Sequence, residues 1–131
     1  MANRRVIVPP GFEEQYELWQ LAPAVQVDNM LYASGQLGMA RDGSFPVNAE
    51  DQVVNAFESI KAVLEHAGGS LADIVEMTSF HVGLADQLGA FATVRDRYLS
   101  EPYPAQTAIG VAELGLPGAL IEIKVTAVID S

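Results

Sequence analysis

The period of apolar positions changes along this chain, and each change marks an element. Between residues 119 and 129 apolar and polar positions alternate as in a strand. Ile121, Ile123, Val125, Ala127 and Ile129 fall on one face, and Leu120, Glu122, Lys124, Thr126 and Val128 on the other. The first face is wholly apolar and belongs in a core. The second carries an acid and a base beside Leu120 and Val128, so it too is expected to be at least partly covered. Ahead of it, Gly115, Pro117 and Gly118 mark a turn, residues 107–111 form a short run of β-branched and small residues, and Pro104 marks a strand entry or an edge. These two strands are expected to pair as a hairpin or near-hairpin.

Upstream the period lengthens to that of a helix. Val53, Phe57, Ile60, Leu64 and Ala67 recur after Asn48, which has Asp51 three residues on as in a capped N-terminus, and Gly68-Gly69 closes the run. That stripe needs a sheet to cover. Residues 70–73 are a turn, and residues 74–82 a strand with Ile74, Thr78, Phe80 and Val82 on one face and Val75, Met77, Ser79 and His81 on the other. From Asp86, the spacing of Leu88, Phe91, Val94 and Tyr98 predicts a second helix that ends before Glu101-Pro102. Nearer the N-terminus, residues 4–9 read as a short strand stopped by two prolines. GFEEQYELWQLAP has no clean period and reads as a loop with room for one helical turn. Residues 25–27 and 30–36 flank Asp28-Asn29 as a β-hairpin, whose second arm is interrupted by Gly35; an isolated glycine in a strand marks a bulge or a close approach. Residues 40–44 are a turn. The order indicates an α+β fold, one mixed sheet with two helices on one face. The opposite face, with several apolar positions, is left for association between copies.

At 131 residues, half of them hydrophobic, the chain has the size of one domain spanning 1–131 and can bury a real core. Cysteine is absent, which excludes disulfides, thiolate catalysis and thiolate-bound metals. No apolar run approaches the roughly 20 residues that span a bilayer, and the start MANRRVIVPPGF lacks the apolar core of a secretory signal; a soluble, cytoplasmic protein is expected. The net charge of -10, seven Lys+Arg against 17 Asp+Glu, opposes nucleic-acid binding. There is no phosphate loop, no dinucleotide fingerprint and no histidine pair at zinc spacing, so neither metal nor cofactor is expected. Ser34 in YASGQLG lacks the strand-turn-helix setting of a nucleophile elbow. His66 reads as a helix-end residue and His81 as a satisfied core or interface histidine. Glu122, flanked by Leu120, Ile121 and Ile123, has two readings. It is either a desolvated carboxyl of raised pKa suited to proton transfer, or the acidic half of an ion pair with Lys124 or with an arginine of another copy.

Four stretches in order, LYASGQLG (residues 31–38), LEHAGGSLADIVEMTSFHV (64–82), FATVRDRYL and PAQTAIGVAELGLPGALIEIKVTAV, resemble the Rid/YjgF family of reactive intermediate deaminases, also called endoribonuclease L-PSP-like. The resemblance covers nearly everything after Val25. It implies a chorismate-mutase-like α+β domain and a homotrimer with a trimeric β-barrel core and small-molecule pockets in the subunit clefts. It also implies cofactor-free hydrolysis of enamines and imines to a carbonyl product and ammonia. The family glutamate that positions water falls on Glu122. Gly35 and Ala108 match positions whose backbone lines the cleft, with Thr107 beside the latter. The family arginine that grips a substrate carboxylate falls on Gln106, which offers hydrogen bonds but no charged fork. The substrate is therefore expected to differ from 2-aminoacrylate, and Arg95 is a candidate substitute cation. The family's pocket tyrosine falls in the region of Tyr16, Trp19 and Leu21. A non-catalytic, metabolite-binding trimer is the alternative implied by Gln106, and a ribonuclease the one the acidic charge opposes.

Overall fold

Helix α2 (Ala49–His66) begins where the sequence supplies its own cap. The Asn48 side-chain oxygen accepts the backbone N–H of Asp51 at 2.8 Å, and the Asn48 amide donates back to the Asp51 carboxylate at 3.0 Å. It ends at Gly68, whose φ of +92° is the left-handed conformation that terminates helices at glycine. The stripe Val53, Phe57, Ile60 and Leu64 is completely buried. Part of it meets α3 (Leu84–Tyr98): the Phe57 ring stacks on Tyr98 at 4.9 Å and on Phe91 at 6.3 Å, which makes one layer of the two helices. In this computed structural model, which describes residues 3–130, that layer covers one face of a mixed sheet.

The sheet contains β1 (Arg4–Ile7), β2 (Ala24–Val27), β3 (Met30–Ala33), β4 (Gln36–Leu37), β5 (Ile74–His81), β6 (Ala105–Gly110) and β7 (Ile121–Val128). Their spatial order is β1-β2-β3-β7-β5-β6, and β4 resumes the line of β3 along β7 after the break at Ser34 and Gly35. Only β5 and β6 run parallel, as their connection through α3 requires. The β2–β3 hairpin turns at Asp28, which adopts a φ of +54° that aspartate and asparagine tolerate best. The unperiodic stretch before β2 holds one short helix, α1 (Glu13–Glu17).

The apolar face of β7 is core, as its alternation predicts: Ile121, Ile123, Val125, Ala127 and Ile129 are all buried under the helices. Buried amides lock the surrounding loops. Gln52 donates to the carbonyls of Pro46 and Gly118 at 2.8 and 2.9 Å and accepts the Leu120 N–H at 2.8 Å, so every polar group of its side chain is used in joining α2 to the segment that enters β7. Gln87 donates to the carbonyls of Val82 and Leu120 at 2.6 and 3.2 Å, which leaves its oxygen to accept from His81 Nδ1 at 2.9 Å. The other ring nitrogen then accepts from the Ser79 hydroxyl at 2.7 Å. His81 is thus a satisfied core histidine, its pKa lowered by burial although the Gln87 bond pulls upward.

Three expectations are corrected. The last two strands do not form a hairpin: β5 lies between β6 and β7, because β7 makes its longest pairing with β5 and the residues linking β6 to β7 pass the end of β5. The faces of β5 are not a simple alternation either. A bulge between Ile74 and Glu76 turns Ile74 to the core with Met77, Ser79 and His81, and leaves Val75 exposed. Finally, the trimeric β-barrel core does not form. The sheet is open, with β1 and β6 at opposite edges and no hydrogen bonds joining them, whereas closure needs first and last strands to pair.

Candidate functional site

The helices leave one face of the sheet bare, and Glu122 projects from it. Register sets its neighbours: Leu37 of β4 on one side, Phe80 of β5 on the other, and Ile109 of β6 beyond Phe80. These apolar flanks withdraw water from the carboxyl. Its pKa is raised above the usual carboxylate range by this burial, with the positive charge of Lys124 acting in the opposite sense. Lys124 comes no nearer than that: among the described residues the ion pairs are Arg95 with Asp96 and Arg97 with Glu50, and Glu122 has no bonded partner. The ion-pair reading of Glu122 with Lys124 is therefore not what one chain forms.

Under the carboxyl lies Gly35. A Cβ there would stand 2.6 Å from Glu122 Cδ and 2.8 Å from Cγ. Its φ is not positive, so it is space and not backbone conformation that requires glycine. The close approach expected at this position exists, and the approaching group is a side chain. Gly35→Ala is expected to push the carboxyl aside and lower kcat/KM by about 100-fold, the scale of an ångström's misplacement. Steady-state kinetics beside a circular-dichroism melt would check this, and an unchanged rate would show that Gly35 does not aim Glu122.

Thr107 shares this face. It lies in register with Thr78 and Lys124, one row along from Glu122. Gln106 and Ala108 alternate with it and so face the helix-bearing side, opposite Met77 and Ser79. Ala108 nonetheless sits on an edge strand, whose outer backbone groups pair with no strand among the described residues. Arg95 is in the helix layer, its guanidinium 3.4 Å from Asp96 and 5.9 Å from the centre of the Phe91 ring. One chain therefore unites Glu122, Gly35 and Thr107 and leaves Gln106, Ala108 and Arg95 on the other side of the sheet. Tyr16, Trp19 and Leu21 all remain exposed around α1, which a 3.4 Å bond from Gln36 to Gln15 ties to β4. Ser34 is occupied, donating to the Ala22 carbonyl at 2.6 Å. Among the described residues no group of three or more His, Asp or Glu could hold a metal. Sequence reasoning missed Leu37 and Phe80 as the flanks of Glu122. Their apolar character was legible, but only the register of β4 and β5 places them there.

A two-helix layer on an open mixed sheet defines a small α+β domain whose distinctive chemical group is a half-buried carboxyl of raised pKa on the bare face. The chain belongs to the Rid/YjgF family: the family profile described as Endoribonuclease L-PSP matches residues 15–129. Among its relatives, the RutC family protein YjgH of Escherichia coli K12 is 35% identical over 97% of this chain and 96% of its own. A protein of the mite Dermatophagoides farinae named 2-iminobutanoate/2-iminopropanoate deaminase is 33% identical over 99% of this chain and 100% of its own. The crystal structure of RidA from the Antarctic bacterium Psychrobacter sp. superposes with a TM-score of 0.78 at 38% identity, covering 82% of this chain and 87% of that one. No helix among the described residues is long and apolar enough to cross a membrane.

Proposed function

We propose that this chain hydrolyses a reactive imine or enamine metabolite to a carbonyl compound and ammonia, with Glu122 as the proton-transfer residue. The observation that carries this reading is the state of Glu122: desolvated by Leu37 and Phe80, free of any bonded partner among the described residues, and lodged on Gly35. A carboxylate so placed can take a proton from water as the water oxygen bonds to the C=N carbon. The C=N π electrons move to the nitrogen, Glu122 returns that proton to it and a carbinolamine results; its collapse passes the hydroxyl proton to nitrogen and expels ammonia as the C=O bond forms. Imines already hydrolyse in water, so a held water and one base meet the modest catalytic demand without a cofactor. The deaminase name of the mite relative supports the same chemistry.

Gln106 supplies neutral hydrogen bonds where a charged fork would suit a small 2-imino acid, which argues for a substrate other than 2-aminoacrylate. Because Gln106 and Glu122 lie on opposite faces of one sheet, a site that uses both combines two copies of the chain. Assembly as a homotrimer would at the same time cover the apolar end of the bare face, where Val6, Val25 and Tyr32 line up beside Val27, Met30 and Val128. A metabolite-binding trimer without chemistry is favoured by Gln106 alone, and a ribonuclease is opposed by the net charge of -10.

The test is release of ammonia and carbonyl product, above the spontaneous rate, from imines generated in situ from several amino acids. Wild type is expected to accelerate at least one of them. Gln106→Arg is expected to raise kcat/KM for the smallest 2-imino acids by about ten- to hundred-fold, the range of one added charge-assisted contact. A wild type that binds the product yet accelerates no imine would select the binding-only reading.

A further inference from the structure

Glu122 is seated between two strand ends that the sheet alone holds weakly. β4 has two residues, against about five or six in an ordinary strand, and its ladder with β7 consists of the pairs Gln36–Ile123 and Leu37–Glu122. The other end, where the chain enters β7, follows the irregular stretch 111–120 with Gly115, Pro117 and Gly118. Both ends meet the N-terminal half of α2, at Gln52 and Asn55, which are three residues apart and share a helix face. The half-buried Asn55 donates its amide to the carbonyl of Gly38, one residue past Leu37, at 3.2 Å. Gln52 is completely buried; it donates to the Gly118 carbonyl and accepts the N–H of Leu120, two residues before Glu122. Gly38 permits this approach, since a Cβ there would stand 2.6 Å from the Gln52 Cα, so helix and strand meet main chain to main chain. The Leu120 carbonyl in turn accepts from the Val82 N–H at 3.0 Å and from the Gln87 amide at 3.2 Å, which fixes both backbone polar groups of residue 120.

These amides belong to the helix layer, Glu122 projects from the bare face, and neither Gln52 nor Asn55 bonds to it. They nonetheless hold the strand that carries the carboxyl and the strand whose Leu37 shields it. We infer that Gln52 and Asn55 are positioning residues for Glu122: through the backbones of Leu120 and Gly38 they keep the carboxyl seated against Leu37 and shielded from water. The kinetic consequence rests on the hydrolase reading given above; the effect on the carboxyl itself does not. Amides that served stability alone would lower the melting temperature when removed and leave the carboxyl as it was. The charged group acting on Glu122 is Lys124 of its own strand, while Leu37 of β4 and Phe80 of β5 are uncharged. Neutral substitutions on α2 that change its titration therefore report water reaching it.

The experiment follows the Glu122 carboxyl by NMR across pH in the full-length chain, isotope-labelled at the glutamate carboxyl carbons, with the signal assigned by its loss in Glu122→Gln. Wild type is compared with Asn55→Ala, Asn55→Gln, Gln52→Met and, as a control for lost stability, Val63→Ala, which empties a buried site further along α2. In Asn55→Ala and Gln52→Met the titration is expected to move down toward the ordinary carboxylate range. In imine hydrolysis kcat should fall by about ten-fold in Asn55→Ala and about a hundred-fold in Gln52→Met, with KM little changed. Asn55→Gln keeps an amide donor and should restore most of both, and Val63→Ala should melt lower without moving the titration. Asn55 makes a single bond and is half-buried, so its alanine variant carries the test if Gln52→Met does not fold. An Asn55→Ala titration that coincides with wild type, or an equal shift in Val63→Ala, would overturn the inference. If wild type accelerates no imine, the hydrolase reading falls and the titrations alone decide whether the two amides seat Glu122.

Discussion

Glu122→Gln is expected to lower the rate of imine hydrolysis by about 100- to 10,000-fold, the usual contribution of a positioned acid or base, while the chain remains folded. Glutamine keeps the shape that rests on Gly35 and the contacts with Leu37 and Phe80, and loses only the ability to accept a proton. The pH dependence has a definite sign. A base must be ionised to act, so wild-type activity should rise with pH through the raised pKa of Glu122. The effect on stability is opposite. The folded chain holds this proton more tightly than the unfolded chain, whose carboxyl titrates near 4.5, so ionisation weighs against the fold as pH rises through the folded value. The glutamine variant should therefore melt no lower than wild type at neutral pH, and any advantage should vanish below about pH 4.5, where both states of the wild type are protonated. Kinetics and melting curves across pH measure both. Retained turnover would remove Glu122 from the mechanism, and a variant that melts well below wild type at neutral pH would show the carboxylate to be structural.

The largest effect on stability is expected one residue along. Ile123→Ala should cost about 2–5 kcal/mol, the cost of emptying a fully buried aliphatic site. Ile123 is completely inaccessible and lies between Gln36 and Ser79 beneath α2, so few neighbours can move to fill the space. Thr126→Ala, on the opposite face of the same strand, is the control and should change stability by about 0.5 kcal/mol or less. Urea denaturation of both variants separates the two faces of β7. A mild effect at Ile123 with a large one at Thr126 would mean that the bare face is the one that matters to the monomer's core.

Several elements were legible because their causes are local. Asn48 and Asp51 are three residues apart and cap α2 from within the chain, Gly68 ends it through its own φ, and Asp28 turns the β2–β3 hairpin through its own backbone. The faces of β7 were equally legible, since alternation along one strand needs no knowledge of its partners. The faces of β5 were not. A bulge is a property of two strands, and nothing in the letters Ile74-Val75-Glu76 announces that β7 will oppose them with one residue fewer.

What the sequence by itself determined is the set of elements and the core face of the last strand, and it singled out Glu122 as the candidate carboxyl. Glu122 could be singled out because its flanks on both sides are apolar, and Gly35 because an isolated glycine in a strand needs a reason. Tertiary structure alone decided that β5 separates β6 from β7, that the sheet stays open, that Glu122 rests on Gly35, and that Gln106 and Glu122 face opposite ways while Lys124, Thr78 and Thr107 share a row. The physical reason is the same in each case. A strand's own residues set its alternation, but its partner and register are chosen by contacts between distant segments, and a shift of one residue sends every side chain to the other face.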